Sequence, residues 1–463
     1  MASRFACFGP DTSSRAARRA RCVALLVLVH VWPLAAFAGN DDEVLVGNRA
    51  AMVAGSVVAT VRDSSAAWYN PAGLGGVERA QVDVSGSVYA ARFYSVPKFL
   101  SAEEGVAQRA WVSEFLSVPA QVAFARELGR GLTLGLGYFA PRSTNFVMRE
   151  QLDLGTKETG SRWQIAATSS QIQHTVALGV GGVPAKNLRA GVSLIGGYAL
   201  STTSVSLFGE AHRNQIVEGM AVTTAISTSA TASLEVGAGV QWIASPELTL
   251  GLALRSPRLL LRETARVAYS SGRSDNADGP ATATSEIASN VHHVGQLQFL
   301  TAGRLVFGLA YQFSNAWLSG EIDVQPALTN AELGIYRRAF ANARVGAYRR
   351  LGQHLAAGIG LFCDRSADAR GAALLSGSGD FYGGTLGVEF GNEHLLAPSE
   401  RVNSLVFSSV VALRYAYSNG DFGGAVVRPS ALGSQGSGDA FGGRRGDIIV
   451  HELGLYVGSG LNF

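Results

Sequence analysis

The fold is decided by the stretch Glu452-Leu453-Gly454-Leu455-Tyr456-Val457-Gly458-Ser459-Gly460-Leu461-Asn462-Phe463, in which apolar side chains recur at every second position. Successive side chains of a β-strand point to opposite faces of a sheet, so this rhythm places the apolar set on one face. The stretch also has about the 9–11 residues that a tilted strand needs to cross a bilayer. The same rhythm recurs at 132–138 and at 248–254. The sequence therefore predicts a chain with many membrane-crossing strands.

The composition agrees with a membrane barrel better than with a soluble protein. Charged residues make up 16% of the chain, against about 25% in soluble domains. Glycine occupies 56 of 463 positions, which is well above its usual share of about 7%. A large soluble β-sandwich would show a similar strand rhythm, but it would not account for so little charge.

The first 38 residues are predicted to be a signal peptide. Arginines between Arg15 and Arg21 precede an apolar core at 23–31, and Ala36-Phe37-Ala38 fits the small-x-small cleavage pattern. An N-terminal anchor helix is the alternative, and Pro33 weighs against it. Without residues 1–38 the chain loses five Arg and one Asp and keeps 33 basic and 34 acidic residues. The sequence predicts export to a Gram-negative outer membrane, with no basic footprint for nucleic acid.

Residues 81–463 are predicted to form a 14-stranded antiparallel transmembrane β-barrel. Short turns and long connections alternate along the chain, which is typical of barrels with short periplasmic turns and long outer loops. Closure also removes strand edges that lipid cannot hydrogen-bond. The predicted strands are 81–95, 117–128, 131–140, 170–181, 188–208, 230–243, 247–257, 302–313, 316–325, 342–351, 353–364, 380–391, 403–417 and 447–463. The predicted long loops include 141–169, 209–229, 258–301, 326–341, 365–379 and 418–446.

Residues 39–80 do not alternate, and they precede the first predicted strand. Their motif Asn70, Pro71, Ala72 and Gly73 is turn chemistry, because proline fixes its own φ and restrains the residue before it. A fourteen-stranded barrel is wider than the eight-stranded type that side chains alone can fill. The segment 39–80 is therefore predicted to be an N-terminal plug, or hatch, in the lumen.

The run 65–74, Ser-Ala-Ala-Trp-Tyr-Asn-Pro-Ala-Gly-Leu, resembles the hatch of the FadL/TodX family of outer-membrane transporters for hydrophobic compounds. The resemblance extends along the whole chain after the signal peptide. It implies fourteen strands, passive transport of small hydrophobic molecules and lateral exit through a gap at the third strand. Gly135 and Gly137 lie on that strand and mark the implied lateral gate. The motif also occurs in a related branch, so a PorV-like secretion shuttle or a surface interaction protein is the alternative.

Alternation places charges of both signs on the predicted lumen face of neighbouring strands, within reach of one another. A structural salt-bridge lattice is the favoured interpretation, and a binding site for a substrate head group is the alternative. The predicted network comprises Arg189, Glu235, Arg255, Glu321, Asp323, Arg344, Glu389 and Arg414. Glycines on the same face predict either a closely approaching plug or barrel curvature. These are Gly135, Gly137, Gly237, Gly239, Gly251, Gly346, Gly358, Gly360 and Gly387.

The first outer loop and its flanks are apolar for an exposed segment, which predicts a capture surface for hydrophobic substrate. Contact with outer lipids is the alternative interpretation. The residues concerned are Phe93, Tyr94, Phe99, Leu100, Trp111, Phe115 and Leu116. The expected substrates are long-chain fatty acids or aromatic hydrocarbons. An open porin for polar solutes is a further alternative.

No catalytic residue, cofactor or metal site is predicted, and the chain is not expected to be an enzyme. Motifs for nucleotides, serine hydrolases and zinc proteases are absent. The pair His292-His293 lacks a third ligand nearby, and Cys363 is the single cysteine after the signal peptide. The predicted partners are the hydrophobic substrate, outer-membrane lipid and lipopolysaccharide, and the barrel-assembly machinery. The terminal Phe463 on an alternating strand resembles the signal that this machinery reads.

Overall fold

The structure, a computed structural model, describes ten ranges of the chain. They are residues 45–102, 105–118, 121–156, 159–214, 216–274, 282–292, 297–367, 377–391, 405–432 and 440–463. The predicted signal peptide at 1–38, the first six residues of the predicted plug and His293 lie outside the described residues. Within those ranges no helix has the length and apolar character needed to span a bilayer.

Within the described ranges, three short helical segments come first. They are α1 at Asn48–Met52, α2 at Ala66–Tyr69 and a 3-10 helix at Pro71–Gly76. The 3-10 helix begins with proline, which suits a first helical position because its missing N–H would be unpaired there. The Asn70 side chain caps this helix by accepting a hydrogen bond from the backbone N of Ala72 at 3.1 Å. The predicted turn motif is thus the start of a capped helical turn.

In the part of the chain that the structure describes, twenty strands follow the helical segments. Their bounds are β1 Gln81–Ala102, β2 Ala107–Val118, β3 Gln121–Gly129, β4 Leu132–Gly155, β5 Thr159–Ala185, β6 Leu188–Arg213, β7 Ile216–Ile243, β8 Leu248–Arg255, β9 Arg258–Ser274, β10 Thr282–His292, β11 Phe299–Thr301, β12 Arg304–Gln312, β13 Ala316–Gln325, β14 Leu328–Asn330, β15 Ile335–Arg337, β16 Phe340–Arg350, β17 Leu355–Asp364, β18 Gly377–Gly391, β19 Val406–Val427 and β20 Phe441–Asn462. A further 3-10 turn at Pro429–Ala431 follows β19.

Eighteen of these strands form one closed sheet, so the chain is an all-β barrel. Antiparallel neighbours pair around the ring, and β20 pairs back to β1 over Gln81–Ser95. The sheet is mixed, because Leu100–Ala102 pairs in parallel with Ala425–Val427. β14 and β15 form a separate hairpin. This division differs from the predicted fourteen antiparallel strands, since the predicted strand 117–128 is split between β2 and β3.

Several predicted long loops are largely strand. The hairpins β4–β5 and β6–β7 take up most of 141–169 and 209–229, β9 and β10 lie within 258–301, and β19 and β20 enter 418–446 from either end. β7 alone has 28 residues, far more than the roughly 9–11 that cross a bilayer. A strand outside lipid needs no apolar outward side chains, so its ladder persists where the sequence rhythm fades. Those predicted loop assignments were wrong for this reason.

The predicted tight turns join neighbouring strands at the opposite end of the barrel. Between β3 and β4, Gly129, Arg130 and Gly131 have φ values of 102°, 57° and 73°. Left-handed backbone of this kind favours glycine, which explains the flanking pair. The short β5–β6 and β7–β8 connections lie at the same end. Tight turns therefore lie at one end of the barrel and the long hairpins at the other.

The two faces of the strands differ in the way the alternation predicts. On β20, Glu452 and Tyr456 are buried, whereas Leu453 and Val457 are exposed by 53% and 38%. Exposed apolar side chains of this kind continue around the barrel and include Leu136, Leu178, Leu194, Val236, Leu252, Phe307, Ile322, Val345, Ile359, Leu386 and Leu413. We call the buried face of each strand the inner face and the exposed face the outer face.

Candidate functional site

Residues 45–77, here called the N-terminal segment, pack against the inner face of the closed sheet. Met52, Trp68 and Leu74 are buried in one apolar cluster with Phe139 of β4 and Val410 of β19. α1 contacts β17 to β20, whereas α2 and the 3-10 helix contact β4 to β7. The helical turns of the segment therefore touch two separate arcs of the ring, and the residues between α1 and α2 reach β8, β13 and β16.

Most of the glycines predicted for the lumen face border on this segment. A Cβ atom at Gly251 would lie 2.6 Å from the carbonyl oxygen of Val58, and one at Gly346 would lie 2.7 Å from the Cβ of Val53. Neither side chain could exist without moving the segment, so glycine permits close approach here. The others that border on the segment are Gly135, Gly239, Gly358, Gly360 and Gly387. Gly137 and Gly237 instead face wall side chains.

Asn70 fixes the corner of the motif and is fully buried. Its Nδ2 donates to the carbonyl oxygens of Val58 at 2.9 Å and of Val240, on β7, at 3.2 Å. Its Oδ1 accepts from Ala72, so both ends of the amide are used. A buried amide left without such partners costs about 1–3 kcal/mol. This position therefore favours asparagine and ties the corner to the wall.

Wall side chains also satisfy the backbone of the segment. Glu321 Oε2 accepts from the backbone N of Val57 and of Val58, both at 3.1 Å. Thr385 Oγ1 accepts from the backbone N of Ala54 at 2.9 Å. Buried N–H groups outside regular secondary structure must find such partners. Part of the predicted lumen network thus serves to hold the segment.

Arg255 clamps Trp68 against the wall. Its guanidinium carbon lies 4.1 Å from the Trp68 ring centroid, and its Nη2 donates to the Trp68 carbonyl oxygen. Glu235 stands 3.8 Å from Arg255 Nε and 3.3 Å from Arg258 Nε. A buried cation over an indole face is attracted to the ring by up to about 2 kcal/mol. The structure thus brings the predicted Glu235 and Arg255 together and adds Arg258.

The predicted group on β13 and β16 is divided between two pairs. Arg344 Nη1 lies 3.2 Å from Glu321 Oε1. Asp323 instead receives Arg304, whose Nε lies 2.8 Å from both carboxylate oxygens. Arg304, the first residue of β12, was not among the predicted network residues although it lies in the predicted strand 302–313.

The predicted Glu389 and Arg414 bind different partners. Glu389 accepts from Tyr348 Oη at 2.7 Å and faces Arg49 Nε of the N-terminal segment at 3.7 Å. Arg414 pairs with Glu452. Glu389 is thus another wall contact of the segment, while Arg414 belongs to a separate cluster.

Arg189 lies beside the end of the N-terminal segment. Its Nη1 donates to Gln241 Oε1 at 3.3 Å, and a Cβ at Gly76 would lie 3.1 Å from its guanidinium carbon. Burial lowers the pKa of the neighbouring Arg62 of the segment, while the Glu78 carboxylate opposes that shift. Arginine stays protonated after such shifts, so both side chains remain cations.

A second buried charge cluster joins β1, β2 and β20. Arg92 Nε lies 2.6 Å from Glu452 Oε2, and its Nη1 lies 3.9 Å from Glu114 Oε2. Tyr94 Oη donates to Glu114 at 2.6 Å. The alternation did not predict this cluster, because β1 shifts register between Ser85 and Ser87 and so changes which residues face inward.

Beyond the N-terminal segment, toward the long hairpins, the inner face carries a large group of buried apolar side chains beside the Arg92 charge cluster. We call this group the upper cluster, and it draws on β1, β2, β4 to β7 and β17 to β20. Tyr94 and Phe146 meet edge-on with ring centroids 5.6 Å apart, and Phe99 lies 5.9 Å from Phe422. Further members include Val96, Leu100, Met148, Leu152, Trp163, Ile165, Val205, Leu207, Phe362, Phe381, Ile448 and Val450.

The predicted capture residues are divided between the two faces. Tyr94, Phe99 and Leu100 belong to the upper cluster and are almost completely buried. Phe93, Trp111 and Phe115 lie on the outer face, with 50%, 67% and 68% of their surface exposed. The side chain of Leu116 lies outside the described residues, and its backbone pairs with Ala90. These residues lie on strands and not on a loop, so their side chains alternate between the inner and outer faces and do not form one surface.

A seam interrupts the hydrogen bonding of the wall beside β4. The ladder between β3 and β4 ends at the pair Gln121 and Phe139, and the β4–β5 ladder shifts register around Pro141. Past this point β2 and β4 lie side by side, and no ladder joins them among the residues that the structure describes. Glu114 of β2 instead accepts a hydrogen bond from the backbone N of Asn145. We call this contact line the β2–β4 seam.

The predicted gate residues lie on the inner face of β4, just before the seam. A Cβ at Gly135 would lie 2.7 Å from a methyl carbon of Leu74. A Cβ at Gly137 would collide with the ring of Phe139, which itself packs 5.6 Å from the ring of Trp68. Gly135 therefore lets β4 lie close to the segment immediately below the seam, whereas Gly137 leaves room for the Phe139 ring.

Comparison with known proteins gives a consistent fold. No protein-family profile matches the sequence, and no curated protein matches it either. Among solved structures, a FadL homologue of Pseudomonas aeruginosa is 12% identical with a TM-score of 0.61, covering 92% of this chain and 100% of that one. The Pseudomonas putida toluene transporter TodX is 12% identical with a TM-score of 0.56, over 93% and 99%. The CymD monoaromatic hydrocarbon channel is 12% identical with a TM-score of 0.53, over 90% and 97%. The chain therefore has the fold of the FadL/TodX-type outer-membrane transporters.

Proposed function

We propose that this chain is a passive outer-membrane transporter of small hydrophobic molecules, plugged by its N-terminal segment, and not an enzyme. The observation that carries the proposal is an apolar inner face directly above a glycine-lined wall that fits the segment closely. Porins for polar solutes have polar, water-filled interiors. An inner face lined by Phe, Met, Leu and Ile instead favours a solute that prefers apolar surroundings.

We further propose that fourteen antiparallel strands cross the membrane, with the plug before residue 81 and the barrel after it. A ring of antiparallel ladders supports this count. The ladders are β1–β3, β3–β4, β4–β5, β5–β6, β6–β7, β7–β8, β8–β12, β12–β13, β13–β16, β16–β17, β17–β18, β18–β19, β19–β20 and β20–β1. β2 and β9 to β11 then extend the wall beyond this ring.

The outer face supports placement in an outer membrane. Apolar side chains form a band that aromatic residues flank at both ends, as in bacterial barrels. At the long-hairpin end, Tyr138 Oη lies 2.7 Å from His174 Nδ1 and Tyr415 Oη lies 3.0 Å from His451 Nδ1. Trp242 is exposed at the tight-turn end. Such rings sit where lipid headgroups meet the acyl chains.

In the proposed route a hydrophobic molecule enters through the upper cluster. Long-chain fatty acids and aromatic hydrocarbons both suit an inner face with Tyr94, Phe146 and Trp163. Apolar burial at roughly 25 cal/mol per Å² drives either class into such a site. The proteins TodX and CymD are described as a toluene transporter and a monoaromatic hydrocarbon channel, and this likeness favours testing the aromatic class first.

We propose that the solute leaves sideways through the β2–β4 seam. A wall without a backbone ladder separates at lower cost than one in which every residue is hydrogen-bonded. The seam adjoins the upper cluster through Tyr94 and Phe146 and ends at Phe139, which packs on the segment. A solute could thus reach the membrane without displacing the plug.

Replacing Glu114 with Ala is expected to loosen the seam. The substitution removes the acceptor for Tyr94 Oη and for the backbone N of Asn145, at about 1–3 kcal/mol for partners left unsatisfied. A free-energy loss of about 1.4 kcal/mol corresponds to a factor of ten. We therefore expect amide hydrogen exchange in 141–149 to become about tenfold faster or more. Glu114→Gln keeps an acceptor oxygen and should change less. Unaltered exchange at 141–149 in both variants would mean that Glu114 does not hold the seam.

A disulfide between the plug and the wall distinguishes sideways exit from downward exit. Ser319 Oγ donates to Ser56 Oγ at 2.9 Å, so S56C/S319C in a C363S background places two thiols side by side. We expect the bond to form and uptake of a labelled monoaromatic hydrocarbon to stay within about twofold of the reduced protein, since a seam exit leaves the plug in place.

The control pair for this experiment is L318C/A347C, which joins neighbouring residues of β13 and β16 on the outer face. It tests whether a cross-link in this wall alters uptake by itself. Loss of uptake on oxidation of S56C/S319C alone, with recovery on reduction, would show that the plug must move and that the solute travels downward.

The proposed function is tested by uptake in cells. The chain is produced in a Gram-negative host without its own transporter, and entry of a labelled fatty acid, a labelled monoaromatic hydrocarbon and a labelled sugar is measured. We expect faster entry of at least one hydrophobic compound and no change for the sugar. Absent uptake, together with outer-membrane insertion and a dedicated exported protein partner, would favour the alternative secretion shuttle or surface interaction protein.

A further inference from the structure

The outer face of β5, β6, β7 and β9 changes its chemistry in tiers along the strands. Nearest the tight turns, Leu178, Leu194 and Val236 share one cross-strand row and are 46%, 46% and 50% exposed. These side chains belong to the apolar band. Their partner in the proposed membrane is the acyl region of a lipid.

The next tier contains aromatic side chains and a cation. His174 pairs with Tyr198, Tyr198 with Ala232, and Ala232 with Arg262. Arg262 therefore lies in the same cross-strand row as the Tyr198 ring, which is 45% exposed. Aromatic rings on the outer face mark the level of lipid headgroups, so Arg262 stands at that level.

The tier beyond it carries hydroxyl groups and a second cation. Ser170 pairs with Thr202, Thr202 with Thr228, and Thr228 with Arg266, and all four residues are exposed. More hydroxyls continue upward on the same face. They are Thr168, Ser204, Ser206, Thr224 and Ser270. Each hydroxyl can both donate and accept a hydrogen bond, which suits a partner rich in sugar hydroxyls.

Arg262 and Arg266 have no ion-pair partner within the described part of the chain. They lie four residues apart on the outer face of β9, about 13 Å along the strand. The neighbouring outer-face residues of β7 between Val222 and Leu234 are apolar or neutral. Two unpaired guanidinium groups whose outer-face neighbours on β7 carry no acid attract an anion, and their planar donors match phosphate.

We propose that this face binds lipopolysaccharide, with Arg262 and Arg266 on the phosphates of its lipid A. The proposal rests on the outer-membrane location proposed above. Lipopolysaccharide carries acyl chains, phosphates and sugars in the order in which the face presents apolar, cationic and hydroxyl side chains. A phospholipid would match the first two tiers and leave the hydroxyl tier without a partner. Free phosphate would match the cations alone.

The test measures binding of purified lipopolysaccharide to the full chain in detergent, by native mass spectrometry and by the shift in melting temperature. R262Q/R266Q removes both cations and is expected to weaken binding about tenfold or more, because two charge-assisted contacts are lost. The matched control is R349Q/R350Q. It removes two exposed arginines from the tight-turn end of β16 and should leave binding unchanged.

Four ligands distinguish the sources of the phosphate. The wild type should bind intact lipopolysaccharide more tightly than dephosphorylated lipopolysaccharide, and more tightly than phosphatidylethanolamine or inorganic phosphate. Equal loss in R262Q/R266Q and R349Q/R350Q would overturn the proposal, and so would binding that is indifferent to the phosphates. Failure of the membrane location itself would appear separately, as absence of the chain from outer-membrane fractions.

Discussion

Deleting residues 45–75 is expected to turn the protein into an open ion channel. The helical turns of the segment contact the wall on β4 to β7 and on β17 to β20, and its residues 53–59 contact β8, β13 and β16. Eight-stranded barrels are filled by their own side chains, whereas those of 16 to 18 strands leave an aqueous channel. Single-channel conductance in planar bilayers should rise about tenfold or more once water replaces the segment in a barrel of intermediate width.

The control deletion removes Leu328–Arg337, the β14–β15 hairpin that lies outside the closed sheet. It shortens the chain without opening the lumen, so conductance should stay low. Heat-modifiable mobility on gels shows whether each variant still forms a barrel. High conductance in the intact protein, or an unchanged value after the 45–75 deletion, would mean that the segment does not close the lumen.

Placing a charge in the upper cluster is expected to stop hydrophobic uptake. Met148 is 2% exposed on the inner face, and its neighbour Val147 is 50% exposed on the outer face. A carboxylate at position 148 would stand unpaired among apolar side chains, at a cost of several kcal/mol, or would draw water into the route. We expect uptake of a labelled hydrocarbon to fall about tenfold or more in M148E and less than about twofold in V147E, since burial decides the cost.

A second variant separates a defect in transport from a defect in folding. M148Q is polar without charge, so it perturbs insertion less while still removing apolar surface from the cluster. Its uptake should lie between the wild type and M148E when all three reach the membrane in equal amounts. Equal uptake by the wild type, V147E and M148E would show that the solute does not pass through the upper cluster.

The sequence predicts which face of a strand is buried wherever the register is regular. Leu453 and Val457 lie outward and Glu452 inward because side chains alternate strictly along β20. The same reasoning places Gly251 and Gly346 on the inner face, where close approach of the N-terminal segment requires glycine. Period-two alternation is a property of a single strand and does not depend on distant contacts, so the face of each side chain can be predicted from the sequence alone wherever the strand is regular.

Contacts between distant elements could not be predicted in this way. The partner of Glu389 is Arg49 of the segment, and the partner of Asp323 is Arg304 of β12. Alternation predicts which face of the strand a side chain lies on. It does not predict the position of that side chain along the barrel axis or the residue that it contacts. The register shift after Ser85 reverses which β1 residues face inward, so Arg92 and its cluster were missed. The β2–β4 seam could not be predicted, because the absence of a hydrogen-bond ladder between two strands does not change the sequence pattern of either strand.

Paired measurement of solute and ion flux in the same vesicles decides whether the protein passes hydrophobic molecules through a barrel that is closed to ions. Proteoliposomes containing the full chain are loaded with an ion-sensitive dye and given a labelled monoaromatic hydrocarbon and a labelled fatty acid. The account predicts protein-dependent entry of at least one of these compounds while the ion signal stays at the level of empty liposomes. Hydrophobic entry no faster than in empty liposomes, or ion leakage like that of an open pore, would contradict it.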